Sequence, residues 1–355
     1  MKTLLSSLIT HSSTMVATTT LGGTASHITV GKVAHGLMMM TWRPVPIPDE
    51  EAFEAIKAGI DTLPPGVKML LNSGAFYAND GSTANLEMLA RFYAKYPEYA
   101  EKTFLSVKGA CKPGLEDLQI DCSPEGLRRS VDEVIRALNG TKKLDLFQPA
   151  RIDPRVSVED TVKALAQLVT EGKFDHIGLS ECSANTLRRG NSVHPISIVE
   201  IEVSPTSYEE ETKKVIATAA ELGITVAGYS PLGRGLLTGS ITKPEDLHPD
   251  DMRNHYTRFQ EENLRHNVAI ADALKSIAAK KGCTAAQLCI GWVGSLGDKV
   301  IPLPGSSSKK RVLENLAGGD VILTEAEKQE IERVLEEHPV KGDRYGEKVE
   351  LALWG

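Results

Sequence analysis

Short apolar runs recur eight times along the chain, and segments with the signals of amphipathic helices lie between them. The runs are apolar almost without interruption, which is typical of strands that are buried on both faces. They cover residues 33–40, 68–73, 104–107, 144–148, 176–180, 196–203, 225–229 and 300–304. A strand followed by a helix, repeated along a chain, predicts parallel strands joined by right-handed crossovers.

The segments between the runs carry helix-start signals. Residues 49–51 are acidic and stand where a helix dipole favours negative charge, and Ser123-Pro124 places a proline at a first helical position. Leu127 and Val131 then fall on one stripe at helical spacing. The remaining predicted helices begin at Ser82 or cover 157–170, 209–222 and 284–293.

A doubly wound sheet and a closed barrel both fit this alternation. Eight units within about 290 residues match the usual size of the barrel. No Gly-x-Gly-x-x-Gly follows the first run, where an open dinucleotide-binding sheet would carry it. The sequence therefore predicts an α/β protein, a (β/α)8 TIM barrel over 28–337. A polar segment, 240–267, is interpreted as a loop insertion before the last βα unit, and 338–355 as a C-terminal tail.

Charge and cysteine content narrow the class of protein. The chain has 355 residues and a formal net charge of −7, so it has no general attraction for nucleic acid or anionic membranes. Five cysteines, an odd number without C-x-x-C spacing, indicate reduced thiols in a cytoplasmic protein and give no metal-binding pattern. No apolar run reaches the ~18 residues that a membrane span needs.

The first 27 residues differ from the rest, because they are rich in Ser and Thr and contain no acidic residue. This composition is compatible with an organelle-targeting peptide. The segment has a single Lys and no Arg, however, whereas targeting peptides are usually rich in Arg. Residues 1–27 are therefore interpreted as a disordered extension, with targeting as the alternative.

Two polar residues stand where runs end and where a barrel of this kind places its chemistry. Lys108 ends an apolar run, and burying an ammonium is costly unless it has partners, so a functional role is favoured over a lysine that reaches solvent. Tyr77 follows the second run; alone, a packing role would be the simpler interpretation. Together they predict a proton donor whose pKa the ammonium lowers toward neutrality.

The eighth run leads into Gly305, three serines and the basic triplet 309–311. Cations in the first turn of a helix oppose its dipole, which costs stability. This conflict favours an anion site in which amides, hydroxyls and Arg311 converge on a phosphate. A solvated basic loop is the alternative.

In combination and in this order, several motifs make the chain resemble the aldo-keto reductases over roughly residues 28–337. They are Met40-Thr41-Trp42, Gly74-x-x-Tyr77, Val107-Lys108, Leu144-Asp145-Leu146-Phe147-Gln148, Gly178-Leu179-Ser180, Tyr229-Ser230-Pro231-Leu232-Gly233-Arg234-Gly235, and Pro304-Gly305-Ser306 through Glu314-Asn315. Within the family the chain looks most like the fungal pyridoxal reductases. Arg43-Pro44 after the first motif, Lys142-Lys143 before the fourth and Ala150-Arg151 after it carry that closer resemblance.

The resemblance implies that the barrel binds NADPH in an extended form, with Tyr77 as proton donor and Lys108 as its partner. Tyr229 would stack on the nicotinamide and Ser180 would contact its carboxamide. Other cofactor positions fall into four groups: the pyrophosphate loop Ser230, Leu232 and Arg234; the 2′-phosphate site Ser306, Ser308 and Arg311; the adenine site Glu314 and Asn315; and the mouth, Thr41 and Trp42.

The chain departs from the family pattern at positions that matter for the chemistry. Asn72 stands where the family usually has an Asp paired to the Lys, and Ala150 where it has a His. Glu181 and Glu200 replace two amides that hold the carboxamide; a carboxylate can accept from that group but cannot donate to it. With Asn72 the charge of Lys108 is expected to be less compensated.

The expected activity is therefore NADPH-dependent reduction of an aldehyde by a monomeric enzyme, with pyridoxal reduced to pyridoxine as the leading substrate. A broad-specificity aldehyde or ketone reductase is the first alternative. A second is an NADPH-binding regulatory subunit with little turnover, as the potassium-channel β subunits of the same family suggest.

Overall fold

The computed structural model describes residues 16–113, 118–345 and 353–355. The strands are β1 Thr18–Thr20, β2 Thr29–Gly31, β3 His35–Gly36, β4 Met69–Gly74, β5 Thr103–Gly109, β6 Cys111–Pro113, β7 Leu118–Ile120, β8 Leu146–Pro149, β9 His176–Ser180, β10 Ile198–Glu202, β11 Thr225–Tyr229 and β12 Val300–Leu303. The α-helices are α1 Met38–Thr41, α2 Asp49–Ile60, α3 Ala84–Lys95, α4 Pro124–Leu138, α5 Val158–Thr170, α6 Ala184–Val193, α7 Glu210–Leu222, α8 Glu261–Lys281, α9 Ala285–Gly294, α10 Lys309–Ala317 and α11 Glu325–Glu337.

Eight of the strands form one parallel sheet in the order β3-β4-β5-β8-β9-β10-β11-β12. The two ends of this sheet meet through a bridge between Gly36 and Gly305. The Ala34 and Gly36 amides reinforce the contact by donating to the carbonyls of Pro302 and Pro304, each at 3.0 Å. The predicted TIM barrel is confirmed.

The helices surround the barrel as the apolar pattern predicts. Ser123 caps α4 by accepting a hydrogen bond from the Gly126 amide, and Pro124 takes the first helical position. Leu127 and Val131 are fully buried against the sheet. Inside the barrel the strands contribute a second apolar cluster, which includes Leu70, Phe104, Leu146, Ile198 and Ile301.

Two predicted segments differ from the structure. Only His35–Gly36 of the run 33–40 is a strand, and its second half is α1, because short apolar runs do not distinguish strand from helix. The insertion 240–267 contains the short 3₁₀ turns Pro244–Asp246, Met252–His255 and Thr257–Phe259, and its last residues begin the long helix α8. The buried Leu264 holds this part of α8 in place. Its sequence neighbours are polar, so the pattern did not indicate a helix here.

The folded chain also begins before residue 28. β1 and β2 pair as an antiparallel hairpin, and Leu21 and Ala25 between them are fully buried against the barrel interior. The interpretation of 1–27 as disordered is therefore wrong for 16–27, where threonines form a strand and two apolar residues give it a buried face. Residues 1–15 lie outside the described part.

Three further features concern function classes. All five cysteines are free thiols. Among the residues that the structure describes, no group of three or more His, Cys, Asp or Glu side chains is arranged to hold a metal ion. No helix in this part of the chain combines the length and apolar character needed to cross a membrane.

Candidate active site

Tyr77 and Lys108 meet at the carboxyl ends of the barrel strands. Lys108 lies near the end of β5, and Tyr77 lies in the turn after β4. Both are buried, with 7% of Tyr77 and 6% of Lys108 exposed, so Lys108 does not reach over the rim to solvent. The ammonium lies 5.2 Å from the centre of the Tyr77 ring, and the centre of the Trp42 ring lies 5.8 Å from the same point.

Local sequence holds the Tyr77 ring against the strand. A Cβ at Gly74 would come within 2.8 Å of this ring, so only glycine leaves room for it. The Thr41 hydroxyl donates to the Tyr77 carbonyl oxygen at 2.5 Å, and Asn85 in turn donates to Thr41 at 2.8 Å. These contacts explain why a glycine stands three residues before the tyrosine.

Lys108 has two polar partners inside the barrel. Its Nζ donates to Oδ1 of Asn72 at 2.5 Å and to Oε1 of Glu200 at 2.8 Å. The expectation that Asn72 leaves the ammonium poorly compensated is therefore wrong, because a carboxylate from β10 lies beside it. We refer to Asn72, Tyr77, Lys108 and Glu200 as the buried cluster.

The pKa values in this cluster differ from the sequence expectation. Burial raises the pKa of the Tyr77 phenol, and the attraction of Lys108 opposes that rise only in part. Burial would lower the pKa of the Lys108 ammonium, but Glu200 and Tyr77 together raise it overall. The phenol is thus protonated and the lysine charged at neutral pH, whereas the sequence predicted a lowered pKa for the phenol.

Ser180 and Glu181 lie at the end of β9. The Ser180 Oγ is buried and has no hydrogen-bond partner among the described residues. Glu181 has a left-handed backbone with φ of 50°, and its Oε1 accepts from the Glu202 amide at 3.0 Å. Its Oε2 lies 3.5 Å from the guanidinium of Arg344. Protein groups therefore already bind the Glu181 carboxylate, whereas the Ser180 hydroxyl has no hydrogen-bond partner among the described residues.

The loop after β11 has an unusual backbone. Ser230, Gly233, Arg234 and Gly235 have φ values of 53°, 55°, 57° and 97°, and the half-buried Leu232 lies between them. Non-glycine residues in this region cost about 1–3 kcal/mol each and cluster at functional sites. Left-handed residues beside right-handed ones also form concave amide surfaces that bind anions.

Tyr229 at the end of β11 and Arg234 in this loop contact other parts of the chain. The Tyr229 hydroxyl lies 2.7 Å from the hydroxyl of Tyr345. Arg234 donates to Glu202 at 2.9 Å, and its guanidinium lies 4.1 Å and 4.6 Å from the ring centres of Tyr345 and Tyr256. Arg234 therefore connects this loop to Glu202 of β10 and to the rings of Tyr256 and Tyr345.

The loop 305–311 leads from β12 into α10, and we refer to it as the anion loop. Ser306 is buried and exchanges hydrogen bonds with Ser308, whose side chain caps α10 by accepting from the Arg311 amide. The Arg311 side chain is exposed and forms no ion pair with any described residue. Glu314 and Asn315 follow on the next turn of α10.

Several residues at the site were not predicted. Glu202 pairs with Arg234, Gln148 donates to Glu200 at 2.6 Å, and the tail supplies Arg344 and Tyr345. Alternating carboxylates in the apolar run of β10 were a signal for the first two contacts, because buried charges require partners. Nothing in the sequence pattern of 338–355 indicated that part of it contacts the site.

These residues are suitable for a nicotinamide dinucleotide. The unpartnered Ser180 hydroxyl can contact a carboxamide, the left-handed loop after β11 can hold a pyrophosphate, and the unpaired Arg311 beside a helix N-terminus can hold a further phosphate. The three lie at the ends of β9, β11 and β12, which share the carboxyl end of the barrel, with β10 between β9 and β11.

Comparisons with known proteins agree with this geometry. The sequence model of the aldo/keto reductase family matches residues 32–336. A probable pyridoxal reductase of Schizosaccharomyces pombe is 34% identical over 91% of this chain and 97% of its own length. An aldo-keto reductase of the same organism, whose name includes NADP(+), is 34% identical over 75% of this chain and 78% of its own.

Solved structures are also similar. A glycerol dehydrogenase from Gluconobacter oxydans has a TM-score of 0.76 at 22% identity, covering 91% of this chain and 96% of that one. A thermostable aldo-keto reductase has a TM-score of 0.66 at 19% identity, covering 90% and 99%. At these identities the likeness establishes the barrel fold alone.

Proposed function

The chain belongs to the aldo/keto reductase family, and from that premise we propose that it reduces an aldehyde to an alcohol with NADPH, with pyridoxal as its substrate. The observation that carries this proposal is the burial of a phenol beside a charged lysine at the end of the barrel. That pair can deliver a proton to an oxygen that gains negative charge, which carbonyl reduction requires.

Tyr77 is the proton donor in this proposal. Its raised pKa keeps the phenol protonated until a substrate oxygen becomes more basic than the phenolate. Lys108 remains charged, so it stabilises the phenolate that remains after the transfer. The Trp42 ring, packed against Tyr77, restricts water at the same place and offers an apolar face to an aromatic aldehyde.

Bound NADPH would supply the hydride. The residues that would hold it are Tyr229 and Ser180 at the nicotinamide; Ser230, Leu232 and Arg234 at the pyrophosphate; Ser306, Ser308 and Arg311 at the 2′-phosphate; and Glu314 and Asn315 at the adenine. The exposed, unpaired Arg311 favours NADPH over NADH, because the extra phosphate is the anion this side chain could pair with.

Pyridoxal is proposed as substrate because the S. pombe relative that spans 91% of the chain carries that name. Ala150, where many members of the family have a histidine, is consistent with this proposal. Alanine occupies less space than the imidazole of histidine would at this position after β8.

A substrate panel read by NADPH absorbance tests the proposal. We expect steady NADPH oxidation with pyridoxal, slower oxidation with a simple ketone, and little oxidation when NADH replaces NADPH. Rapid turnover of many aldehydes with no preference for pyridoxal would overturn the substrate and retain the reaction. Tight NADPH binding without turnover of any carbonyl would instead identify a regulatory subunit.

A further inference from the structure

Four polar side chains from four different strands meet inside the carboxyl end of the barrel. They come from β4, β5, β8 and β10, and they are Asn72, Lys108, Gln148 and Glu200. Each is at most 6% exposed. Such a group is shielded from bulk water, so its members depend on each other for hydrogen bonds. Gln148 Oε1 has no partner among the described residues.

Glu200 is the centre of this group. Its Oε1 accepts from Lys108 at 2.8 Å, and its Oε2 accepts from Asn72 at 2.7 Å and from Gln148 at 2.6 Å. Three donors therefore fix the carboxylate on both oxygens. This arrangement leaves Glu200 poorly placed for the cofactor carboxamide, which is the role that the resemblance to the aldo-keto reductases implied for it.

The backbone makes room for these contacts. On β9, between β8 and β10, a Cβ at Gly178 would come within 2.9 Å of Gln148 Oε1 and 3.0 Å of the Ile198 carbonyl oxygen. Asn72 also joins the two charged groups, since its Oδ1 accepts from Lys108 while its Nδ2 donates to Glu200. The ammonium is thus held by two side chains, and it lies 5.2 Å from the centre of the Tyr77 ring.

We propose, on the basis of the proposed function, that Glu200 is a positioning residue that keeps Lys108 charged and fixes its ammonium beside Tyr77. In proton transfer the O–H bond of Tyr77 breaks, its proton joins the alkoxide oxygen of the reduced substrate, and a phenolate remains. The Lys108 ammonium stabilises that phenolate only while it keeps its own proton. A buried lysine without a carboxylate loses its proton more easily, so Glu200 maintains the acid form.

The Glu200→Gln variant tests this role, since it keeps the shape of the side chain and removes its charge. We expect kcat for aldehyde reduction to fall about 10- to 100-fold. We also expect the decline of kcat on the alkaline side to begin at lower pH, because Lys108 then loses its proton more easily. The dissociation constant of NADPH, measured by fluorescence titration, should remain within about twofold of the wild-type value.

A second arm restores the charge from the other neighbour of Lys108. In the double variant Asn72→Asp with Glu200→Gln, the carboxylate moves to a residue that already contacts the ammonium at 2.5 Å. We expect this variant to recover most of the lost kcat and the wild-type pH profile. Thermal unfolding of each variant shows whether a loss of activity is a loss of folded protein.

A matched control comes from the same strand. Glu202 is as buried as Glu200, at 1% against 2% exposed, but its ion-pair partner is Arg234. The titration of Lys108, followed by NMR of protein labelled biosynthetically with ¹³Cε-lysine, should move to lower pH in Glu200→Gln and stay unchanged in Glu202→Gln. This readout needs no turnover, so it tests the role of Glu200 even if the wild type reduces no aldehyde.

The outcomes separate the two proposals. An inactive wild type with the predicted Lys108 shift refutes the proposed function and supports the role of Glu200. Unchanged kcat, pH profile and Lys108 titration in Glu200→Gln would overturn that role. So would a variant that loses NADPH affinity alone, because Glu200 would then be a cofactor contact.

Discussion

The buried cluster and the anion loop occupy the same end of the barrel, but only in the cluster do the charged side chains have close, buried partners. In the cluster, the buried Lys108 contacts a carboxylate and an amide at 2.8 Å and 2.5 Å. In the anion loop, Arg311 is exposed and pairs with no described residue, and Lys309 contacts Glu54 only at the surface. The cluster therefore has its charges paired before a ligand binds, whereas Arg311 of the anion loop has no such partner among the described residues.

The difference indicates two uses of positive charge. A buried ammonium needs an anionic partner within the folded protein, because the free-energy cost of removing it from water is otherwise not compensated. An exposed guanidinium is stabilised by water and remains available to pair with an anionic ligand. We therefore expect substitutions in the cluster to change rate and stability, and those in the anion loop to change cofactor affinity and its dependence on salt.

The largest effect is expected from Tyr77→Phe. This change removes the proposed acid and keeps the ring, so kcat should fall by about 10²–10⁴-fold, with NADPH affinity retained. In the proposed mechanism, reduction needs the protonated phenol, and burial raises the pKa of Tyr77 above its ordinary value. Deprotonation of Tyr77 should therefore lower the rate only as pH rises above about 10.

The pH dependence of kcat for wild type and Tyr77→Phe is the measurement that matters. A variant that keeps most of its activity at every pH would show that the proton comes from another group. An alkaline decline near neutral pH in the wild type would show that the phenol is far more acidic in the working enzyme than in this structure.

Lys108→Met should have the next largest effect, on stability. It leaves the Glu200 carboxylate buried without its cation, which typically costs about 3–5 kcal/mol in the free energy of unfolding. Lys309→Ala is the matched control, since its pair with Glu54 is about half exposed and such pairs contribute about 0–1 kcal/mol. Urea unfolding of both variants measures the contrast; equal losses would remove the distinction between the two regions.

The sequence predicted more of the anion loop than of the cluster. Gly305, the serines and Arg311 lie close together in the chain, so a local pattern describes them. Glu200 is 92 residues from Lys108 and 128 from Asn72, and no periodicity links the three. The barrel could be predicted because the apolar runs repeat, whereas the pairing of Glu200 depends on which strands become neighbours across the interior.

Arg311→Ala should have an intermediate effect and one confined to cofactor binding. Loss of a charge-assisted contact should weaken NADPH by about 1.5–3 kcal/mol and leave NADH nearly unchanged. Because the guanidinium is exposed, the preference of the wild type for NADPH should also shrink as salt rises. Titrations of both cofactors at two ionic strengths measure this; equal weakening of NADPH and NADH would assign Arg311 to packing.

The smallest effect is expected from Tyr229, which lies between the two regions and belongs to neither. Its side chain is half-buried and its hydroxyl already contacts Tyr345 at 2.7 Å, so one end is held by the tail while the ring remains available to a nicotinamide. Tyr229→Ala removes both the ring that would stack on the nicotinamide and the hydroxyl that contacts Tyr345. The stacking part alone should weaken NADPH and NADH equally, by about 0.5–1.5 kcal/mol, because both cofactors carry the same ring.

Tyr229→Phe separates the two contributions, since it keeps the ring and loses the hydroxyl. If stacking is the role of Tyr229, the phenylalanine variant should bind both cofactors nearly as the wild type does, and only the alanine variant should bind them more weakly. If its main role is to hold the tail through Tyr345, both variants should lose the same affinity. Fluorescence titration decides between these outcomes, and an alanine variant with unchanged affinity would make Tyr229 a packing residue, leaving cofactor binding to the loop backbone and the anion loop.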